Sequence, residues 1–190
     1  MRWTAIVPVR PFAQGKTRLA CALTAEERGR LVEHLFVHTT NILRATPAIM
    51  DVVVLSESPP NGWEGSWLAD KGRGLNPELR AAVADIGKPA LLVIHADLPL
   101  LSALDIQAVL AAAEPGCAIA PDRHGLGTNA LALAQAADFP FTFGPDSFSK
   151  HVAAAHGRVQ IVRRVGLALD IDTPDDLAAA AAEGFQLVRS

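Results

Sequence analysis

Residues 90–100 run Ala-Leu-Leu-Val-Ile-His-Ala-Asp-Leu-Pro-Leu. The first seven, Ala90–Ala96, form a short apolar segment rich in branched side chains, which is typical of a strand buried on both faces. Asp97 and Pro99 follow directly, and residues of these types end regular structure and turn the chain. A strand that is covered on both sides needs helices above and below its sheet, so this stretch predicts an α/β fold.

Similar apolar segments recur along the 190-residue chain and alternate with alanine-rich stretches that suit helices. This alternation predicts a single domain over residues 1–190, with a mostly parallel sheet and helices on both faces. Two of the segments lie too close together for a crossover helix, so one antiparallel insertion is expected. The predicted strands are Thr4–Val9, Asp51–Ser56, Ala90–Ala96, Cys117–Pro121, Ala130–Ala134 and Gln160–Val165, with Ala168–Ile171 as an extension of the last or a further strand.

Capping residues mark where the helices begin. A Ser or Thr followed three residues later by an acid or Gln can satisfy two free N–H groups of a first turn. Proline is also favoured at the first helical position, and glycine just after the end. The predicted starts are Thr24 with Glu27 for a helix to about Arg44, Asn76-Pro77, Ser102 with Asp105, Asp146 or Ser147 for a helix that Gly157 ends, and Thr173-Pro174-Asp175-Asp176 for a helix closed by Gly184.

The composition excludes several classes of function. Lys and Arg number 17 against 20 Asp and Glu, a net charge of −3, and only 5% of residues are aromatic, so nucleic-acid binding is not expected. Polar residues interrupt the longest apolar stretch, so no membrane span is expected. The two cysteines, Cys21 and Cys117, form no CxxC pair and are predicted to be small core residues. We expect a cytoplasmic protein.

A basic loop follows the first predicted strand. Residues 10–18 carry Arg10, Lys16 and Arg18 and no acid. The Gly-Lys-Thr triplet suggests a P-loop, but that motif needs a glycine where Arg10 stands. In open α/β sheets ligands lie beyond the carboxyl ends of the strands, so the loop is predicted to neutralise a polyphosphate, the alternative being a solvated surface loop.

Acidic residues stand at two further strand ends. Asp97 follows Ala90–Ala96, and the capping role there falls to Ser102. Asp170 and Asp172 flank Ile171, so on an extended segment their carboxylates project to one side while Ile171 enters the core. Like charges side by side destabilise a structure unless a cation offsets them, so a Mg²⁺ site is favoured. The alternatives are a turn-forming role for Asp97 and a solvated acidic helix start for Asp170 and Asp172.

Two glycine-containing segments are candidates for binding a small anion. His124–Ala130 contains G-x-G-x-x-A, but no helix follows, so we do not expect a dinucleotide site. Its backbone N–H groups and the Thr128 hydroxyl are candidates for holding an anion, and an ordinary hairpin turn is the alternative. Residues 143–147 precede a helix whose N-terminus attracts carboxylate or phosphate, with a plain helix cap as the alternative.

Other polar or aromatic features have simpler explanations. His34 and His38 lie four residues apart on a predicted helix, but the glutamate of a zinc HExxH motif is absent, so both are expected on a half-buried helix surface. Trp63 and Trp67 follow a Pro59-Pro60-Asn61-Gly62 cluster and are predicted to lie in a surface loop.

Taken in order, these segments resemble the guanylyltransferases of coenzyme F420 biosynthesis, which act on 2-phospho-L-lactate or phosphoenolpyruvate and are related to molybdenum-cofactor and sugar nucleotidyltransferases. The resemblance runs nearly end to end, from Ile6-Val7-Pro8-Val9 to Asp170-Ile171-Asp172-Thr173-Pro174. Each piece is unspecific alone, but their order and spacing are fairly specific. The remaining matching pieces are Lys16-Thr17-Arg18-Leu19, Gly74-Leu75-Asn76, Ala96-Asp97-Leu98-Pro99-Leu100, Gly127-Thr128-Asn129-Ala130-Leu131, and Phe143-Gly144 with Ser147.

The resemblance implies a Rossmann-like nucleotidyltransferase domain that uses GTP and two Mg²⁺ ions, and a homodimer is one expectation. Two departures from the family pattern stand out: Arg10 occupies a position that is commonly Lys, and the glycine-rich opening loop of the molybdenum-cofactor relatives is absent. The implied roles are metal binding by Asp97, Asp170 and Asp172; nucleotide binding by Pro8, Lys16 and Asn76; acceptor binding by Thr128, Asn129, Gly144 and Ser147; and catalysis by Arg10, Lys16, Arg18 and Asp97.

The reaction so implied is transfer of GMP from GTP to the phosphate of a small acid, with release of pyrophosphate. No motif distinguishes 2-phospho-L-lactate, phosphoenolpyruvate and 3-phospho-D-glycerate as acceptors. Two alternatives are a nucleotidyltransferase for a sugar phosphate or molybdopterin, and a nucleotide-binding regulatory domain without catalysis, since fold alone does not determine function.

Overall fold

The computed structural model describes residues 1–10 and 16–187. Its helices are α1 (Ala25–Ala45), α2 (Leu75–Ile86), α3 (Ala103–Ala113), α4 (Ser147–Ala154), α5 (Val165–Ala168) and α6 (Pro174–Ala182), with a 3₁₀ turn at Thr17–Leu19. Its strands are β1 (Trp3–Pro8), β2 (Ile49–Ser56), β3 (Ser66–Ala69), β4 (Leu91–Ile94), β5 (Cys117–Pro121), β6 (Thr128–Leu133) and β7 (Val159–Ile161).

In the described part of the chain these strands form one sheet in the order β3-β2-β1-β4-β6-β5-β7. All neighbours run parallel except β6, which runs antiparallel to both β4 and β5. Ala130 of β6 lies opposite Ile94 on one side and opposite Ala120 on the other. The mostly parallel α/β sheet with one antiparallel insertion is therefore confirmed.

Apolar side chains cover both faces of the sheet. One core joins alternate strand residues to α1 and α3 through side chains such as Leu43 and Leu110. The other joins the opposite face to α2 and to Phe141 and Phe143. A third cluster packs α1 against α6 and includes Ile171. Strands β1, β4, β5 and β6 are thus buried on both faces, as the apolar segments predict, whereas the edge strands β3 and β7 are partly exposed.

The helix starts follow local sequence rules in most cases. Capping boxes are present at Thr24 with Glu27, Ser102 with Asp105, and Thr173 with Asp176. The prediction that Asn76 caps α2 is wrong, because the helix begins at Leu75 with Gly74 as its cap. Asp146 occupies the capping position of α4, but its side chain makes no capping hydrogen bond.

Further predictions are corrected. The strand expected over Gln160–Val165 is formed only as β7, which ends at Ile161, and no strand forms over Ala168–Ile171, since Val165–Ala168 is the short helix α5. The loop expected around Trp67 contains strand β3, which pairs with the edge of β2. Cys117 is buried as predicted, whereas Cys21 is exposed.

Within the described residues, the structure contains no helix that is both long enough and apolar enough to span a bilayer.

Candidate active site

Asp97 lies just beyond the carboxyl end of β4, and residues 169–172 run beside it. The Ile171 N–H donates a hydrogen bond of 3.1 Å to the main-chain oxygen of Asp97. Ile171 is fully buried, so its two acidic neighbours flank a residue that is anchored in the core. As a result, carboxylate oxygens of Asp97, Asp170 and Asp172 lie within 4.8 Å of one another.

Lys16 lies against this acidic cluster. Its Nζ is 2.6 Å from Asp97 Oδ2 and 2.7 Å from Asp172 Oδ1. The residue adopts φ +56°, a left-handed conformation that side chains other than glycine rarely adopt. The sequence predicts a lysine that faces a polyphosphate, and the structure places its ammonium group directly on two of the three carboxylates.

The charges in the cluster shift one another's pKa values. Burial alone would lower the pKa of Lys16, but the charges of Asp97 and Asp172 outweigh it and the pKa is raised. Burial opposes ionisation of Asp97, yet Lys16 holds the pKa of that carboxyl below its usual value. For Asp170, burial and then the charge of Asp97 raise the pKa to about 6. Lys16 is therefore a fixed cation, while the pKa of Asp170 is raised chiefly by burial and further by the charge of Asp97.

The other two predicted cations stand near the same edge. Arg10 follows β1 by two residues and is exposed, and Arg18 is exposed on the 3₁₀ turn. Among the described residues neither forms an ion pair. The rest of the predicted basic loop, residues 11–15, lies outside the described residues.

The side chain of Asn129, at the start of β6, is hydrogen-bonded to the segment that carries Asp170. Its Nδ2 donates to the main-chain oxygens of Leu167 and Ala168 at 3.0 and 3.3 Å and to Asp170 Oδ1 at 3.1 Å. Its side chain is buried. Asn129 therefore ties β6 to the segment that carries Asp170 and Asp172.

Thr128, Gly144 and Ser147 form a second group at the same edge. Thr128 and Ser147 are buried, and Gly144 is exposed with φ +119°. The Ser147 N–H donates to the Gly144 oxygen at 3.1 Å. The Thr128 hydroxyl lies 3.0 Å from Nδ1 of His151. The structure thus brings the predicted acceptor-binding residues together around α4.

The turn before Thr128 does not offer free backbone donors as predicted. The N–H groups of Leu126 and Gly127 donate to the carboxylate of Asp122 at 2.9 and 2.8 Å. The anion held in this glycine turn is therefore a side chain of the protein itself, and the hairpin alternative is the correct one.

The remaining predicted nucleotide contacts, Pro8 and Asn76, lie on β1 and α2. Pro8 is the last residue of β1 and is partly exposed. The Asn76 side chain donates to the Phe143 oxygen at 3.0 Å and accepts from the Phe143 N–H at 2.7 Å. Asn76 therefore holds α2 to the segment that leads to Gly144, and this pairing uses both ends of its amide.

Comparison with known proteins identifies the family. Residues 3–184 match the family described as guanylyl transferase CofC like. The chain belongs to this family. The resemblance drawn from the sequence is thereby confirmed, and the chain is a nucleotidyltransferase enzyme.

Individual relatives of this CofC-like chain cover nearly its whole length. A phosphoenolpyruvate guanylyltransferase from Sphaerobacter thermophilus is 39% identical over 194 residues, spanning 95% of this chain and 93% of the relative. One from Rubrobacter xylanophilus is 37% identical over 193 residues, with 95% and 94% covered.

Solved structures share the fold of this CofC-like chain at lower identity. A nucleotidyl transferase from Methanothermobacter aligns with a TM-score of 0.68 at 15% identity, covering 96% of this chain and 97% of the other. A 4-diphosphocytidyl-2C-methyl-D-erythritol synthase from Anaerococcus prevotii aligns with a TM-score of 0.62 at 11% identity, covering 96% and 95%. At these identities the comparison establishes the nucleotidyltransferase fold alone.

Two histidines of this CofC-like site were missed from the sequence. His95 Nε2 is buried without a hydrogen-bond partner among the described residues, and burial lowers the pKa of His95. His151 is completely buried between Thr128 and Thr142. The spacing of four between Ser147 and His151 places both on one helix face, which is the signal that would have pointed to His151.

Proposed function

We propose that this chain transfers GMP from GTP to the phosphate of a small phosphorylated carboxylic acid, with phosphoenolpyruvate as the first acceptor to test, in coenzyme F420 biosynthesis. The observation that carries the proposal is the cluster of three carboxylates and Lys16 at the carboxyl edge of the sheet. The choice of nucleotide and acceptor is supported by relatives named phosphoenolpyruvate guanylyltransferase.

The acidic cluster fits a divalent metal site. Asp97 Oδ1 is buried and has no hydrogen-bond partner among the described residues, although Oδ2 of the same group pairs with Lys16. Hard cations such as Mg²⁺ prefer carboxylate oxygens and share substrate phosphates as ligands. Asp97, Asp170 and Asp172 would hold two Mg²⁺ ions, and bound Mg²⁺ would supply neutralisation of charge on the reacting phosphates.

The reaction needs no general base from the protein. An oxygen of the acceptor phosphate, already anionic, attacks the α-phosphorus of GTP, and the bond to the β-phosphate oxygen breaks to release pyrophosphate. Lys16, kept protonated by its raised pKa, would offset the charge that accumulates on pyrophosphate, with Arg10 and Arg18 at the same edge. Catalysis on this proposal consists of positioning and charge stabilisation.

The acceptor half of the site lies on the other side of Asp97. Gly144 and Ser147 lie at the start of α4, Thr128 contacts His151 of the same helix, and Asn129, next to Thr128 in β6, donates to Asp170. Backbone and hydroxyl donors of this kind suit a carboxylate. We propose that they hold the acceptor's carboxylate while its phosphate faces the metal-binding cluster.

A substrate panel tests the proposal. GTP, ATP and CTP are each combined with phosphoenolpyruvate, 2-phospho-L-lactate, 3-phospho-D-glycerate and a sugar phosphate in the presence of Mg²⁺, and pyrophosphate release is measured. We expect release with GTP and one of the phosphorylated acids. Preference for a sugar phosphate would favour the alternative acceptor class, and GTP binding by calorimetry without release from any acceptor would favour a regulatory domain.

A further inference from the structure

His151 lies in a closed aromatic environment. It is 0% exposed, its ring centroid is 4.7 Å from that of Phe143 in an edge-on arrangement, and 5.9 Å from that of Phe139. Burial lowers the pKa of His151 to about 4. At neutral pH the imidazole is therefore uncharged and carries one proton on one of its two nitrogens.

The hydrogen bonds of the ring determine which nitrogen carries that proton. The Thr142 main-chain N–H lies 3.0 Å from His151 Nε2. A backbone N–H can only donate, so Nε2 must accept and the proton must lie on Nδ1. Nδ1 is 3.0 Å from Thr128 Oγ1, and its N–H therefore donates to the threonine hydroxyl.

This assignment fixes the role of the Thr128 hydroxyl. Its oxygen accepts from His151, so its own hydrogen points away from the imidazole. No other hydrogen bond from Thr128 Oγ1 occurs among the described residues. We propose that His151 is a positioning residue that makes the Thr128 hydroxyl a directed donor to an oxygen of the acceptor substrate, an inference that rests on the proposed function.

The same ring also holds the other parts of the acceptor half. Its Nε2 fixes Thr142, two residues before Gly144, and its helix begins with Ser147 one turn earlier. Thr128 comes from β6, Gly144 from the loop and Ser147 from α4. The His151 side chain thus connects three elements. Because it is uncharged, the positive charge of the site comes from the cations beyond β4.

Two substitutions separate positioning from packing. In His151→Asn the amide nitrogen replaces Nδ1 and can still donate to Thr128, whereas in His151→Gln the amide oxygen replaces Nε2 and accepts from Thr142 without a donor to Thr128. We expect His151→Gln to raise the acceptor KM about tenfold, the loss expected for one oriented hydrogen bond, while the GTP KM stays within about twofold. His151→Asn should keep the acceptor KM within about threefold of wild type.

A purely structural role predicts the reverse order, because asparagine leaves the larger cavity. An acceptor KM for His151→Asn that equals or exceeds that of His151→Gln would overturn the proposal. Thr128→Val provides the link to the proposed function: it should raise the acceptor KM, and His151→Gln should then add nothing further. If Thr128→Val leaves the acceptor KM unchanged, the acceptor site itself is misplaced. If Thr128→Val raises it and His151→Gln does not, only the positioning role fails.

A measurement on the wild-type protein tests the assignment even if the variants fail to fold. Long-range ¹H–¹⁵N NMR spectra distinguish the two neutral tautomers of histidine. We expect His151 to be protonated on Nδ1 throughout pH 6–8. A proton on Nε2 would contradict the proposal, since Thr128 would then be required to donate to the ring.

Discussion

The ionised form of Asp170 destabilises the folded protein, chiefly because the carboxylate is buried and further because of its charged neighbours. Its pKa is raised from 3.8 to about 6 by burial and then by the charge of Asp97. Because the folded state binds this proton more tightly than the unfolded state, the contribution to stability is fully present below about pH 4, falls as the pH rises, and is fully lost above pH 6.

We therefore expect Asp170→Asn to stabilise the protein at pH 7.5 in the presence of a chelator. The gain should be on the order of 2 kcal/mol, from a shift of about two pKa units, and smaller at pH 4.5. Urea unfolding at both pH values measures it, with the exposed Asp138→Asn as control. An Asp170→Asn variant that is less stable at pH 7.5 than wild type would contradict the electrostatic account of this cluster.

Asp97 is the residue on which the proposed chemistry depends most. Asp97→Asn removes one partner of Lys16 and one carboxylate of the cluster, while the main-chain bond from Ile171 remains. We expect kcat for pyrophosphate release to fall by about two to three orders of magnitude, as for other losses of charge stabilisation at a reacting phosphate. Circular dichroism should show an unchanged fold, and turnover at the wild-type rate would rule out the metal-binding role.

At the residue scale, the sequence predicts that the three acidic residues Asp97, Asp170 and Asp172 lie together, but not that Lys16 pairs with two of them. All three are predicted at strand ends that converge at one edge, but only Asp97 follows a strand, whereas Asp170 and Asp172 follow helix α5. The contacts of Lys16 with Asp97 and Asp172 depend on the path of a loop 81 and 156 residues away in sequence, and the hydrogen bonds of His151 depend on three separate elements. Local patterns carry no information about either.

At the scale of the elements, the N-terminal cap of α6 is hydrogen-bonded to the backbone of the acidic cluster. Asp176 accepts from the Thr173 N–H at 2.7 Å and from the Asp172 N–H at 3.1 Å. Arg123, from the β5–β6 turn, pairs with the same carboxylate at 2.6 Å. The capping box of α6 therefore also holds the backbone of Asp172 in place.

Thr173→Ala tests this coupling, with Thr24→Ala in the capping box of α1 as a matched control. Each substitution should cost about 1 kcal/mol of stability, the usual value for a lost N-cap. Thr173→Ala should in addition raise the Mg²⁺ concentration needed for half-maximal activity, because Asp172 is held less firmly. An equal Mg²⁺ requirement in both variants would show that the cap has no part in positioning Asp172.

Element boundaries were predicted best where the signal is local. The three capping boxes depend on residues three apart and were all found. Strand β3 was missed because its four residues are held by pairing with β2 rather than by a pattern of their own. Helix α5 is not predicted from the sequence, because the apolar residues at its two ends, Val165 and Ala168, fit the flanking strand patterns. Gly166 lets α5 lie close to α3 and to the segment before it, since a Cβ there would clash with the Asp105 carboxylate of α3 and lie 2.6 Å from the Leu100 oxygen.

At the scale of the whole molecule, labelling of Cys21 reports on the native surface and labelling of Cys117 reports on unfolding. Cys21 is exposed, whereas Cys117 lies buried in β5 between β6 and β7, and burial raises the pKa of its thiol to about 12. We expect Ellman's reagent to label one thiol in the native protein and two in denaturant. In Cys21→Ser, labelling should slow to the rate of global unfolding, and rapid labelling of that variant would show that the β5 side of the sheet opens locally.

The reversed direction of β6 has a consequence for how the enzyme can change. β6 reaches the edge that carries the acidic cluster with its first residues, so Thr128 follows directly on the turn at 122–127, whereas Asp97 follows β4. The two hydrogen bonds from Leu126 and Gly127 to Asp122 hold that turn in its conformation. Because Ala130 is paired with Ile94 of β4 and with Ala120 of β5, a change in the length of this turn would alter the chain up to Thr128 while the rest of β6 keeps its register. Surface turns tolerate insertions best, so this turn is where the chain can vary next to Thr128 while β4 and Asp97 stay unchanged.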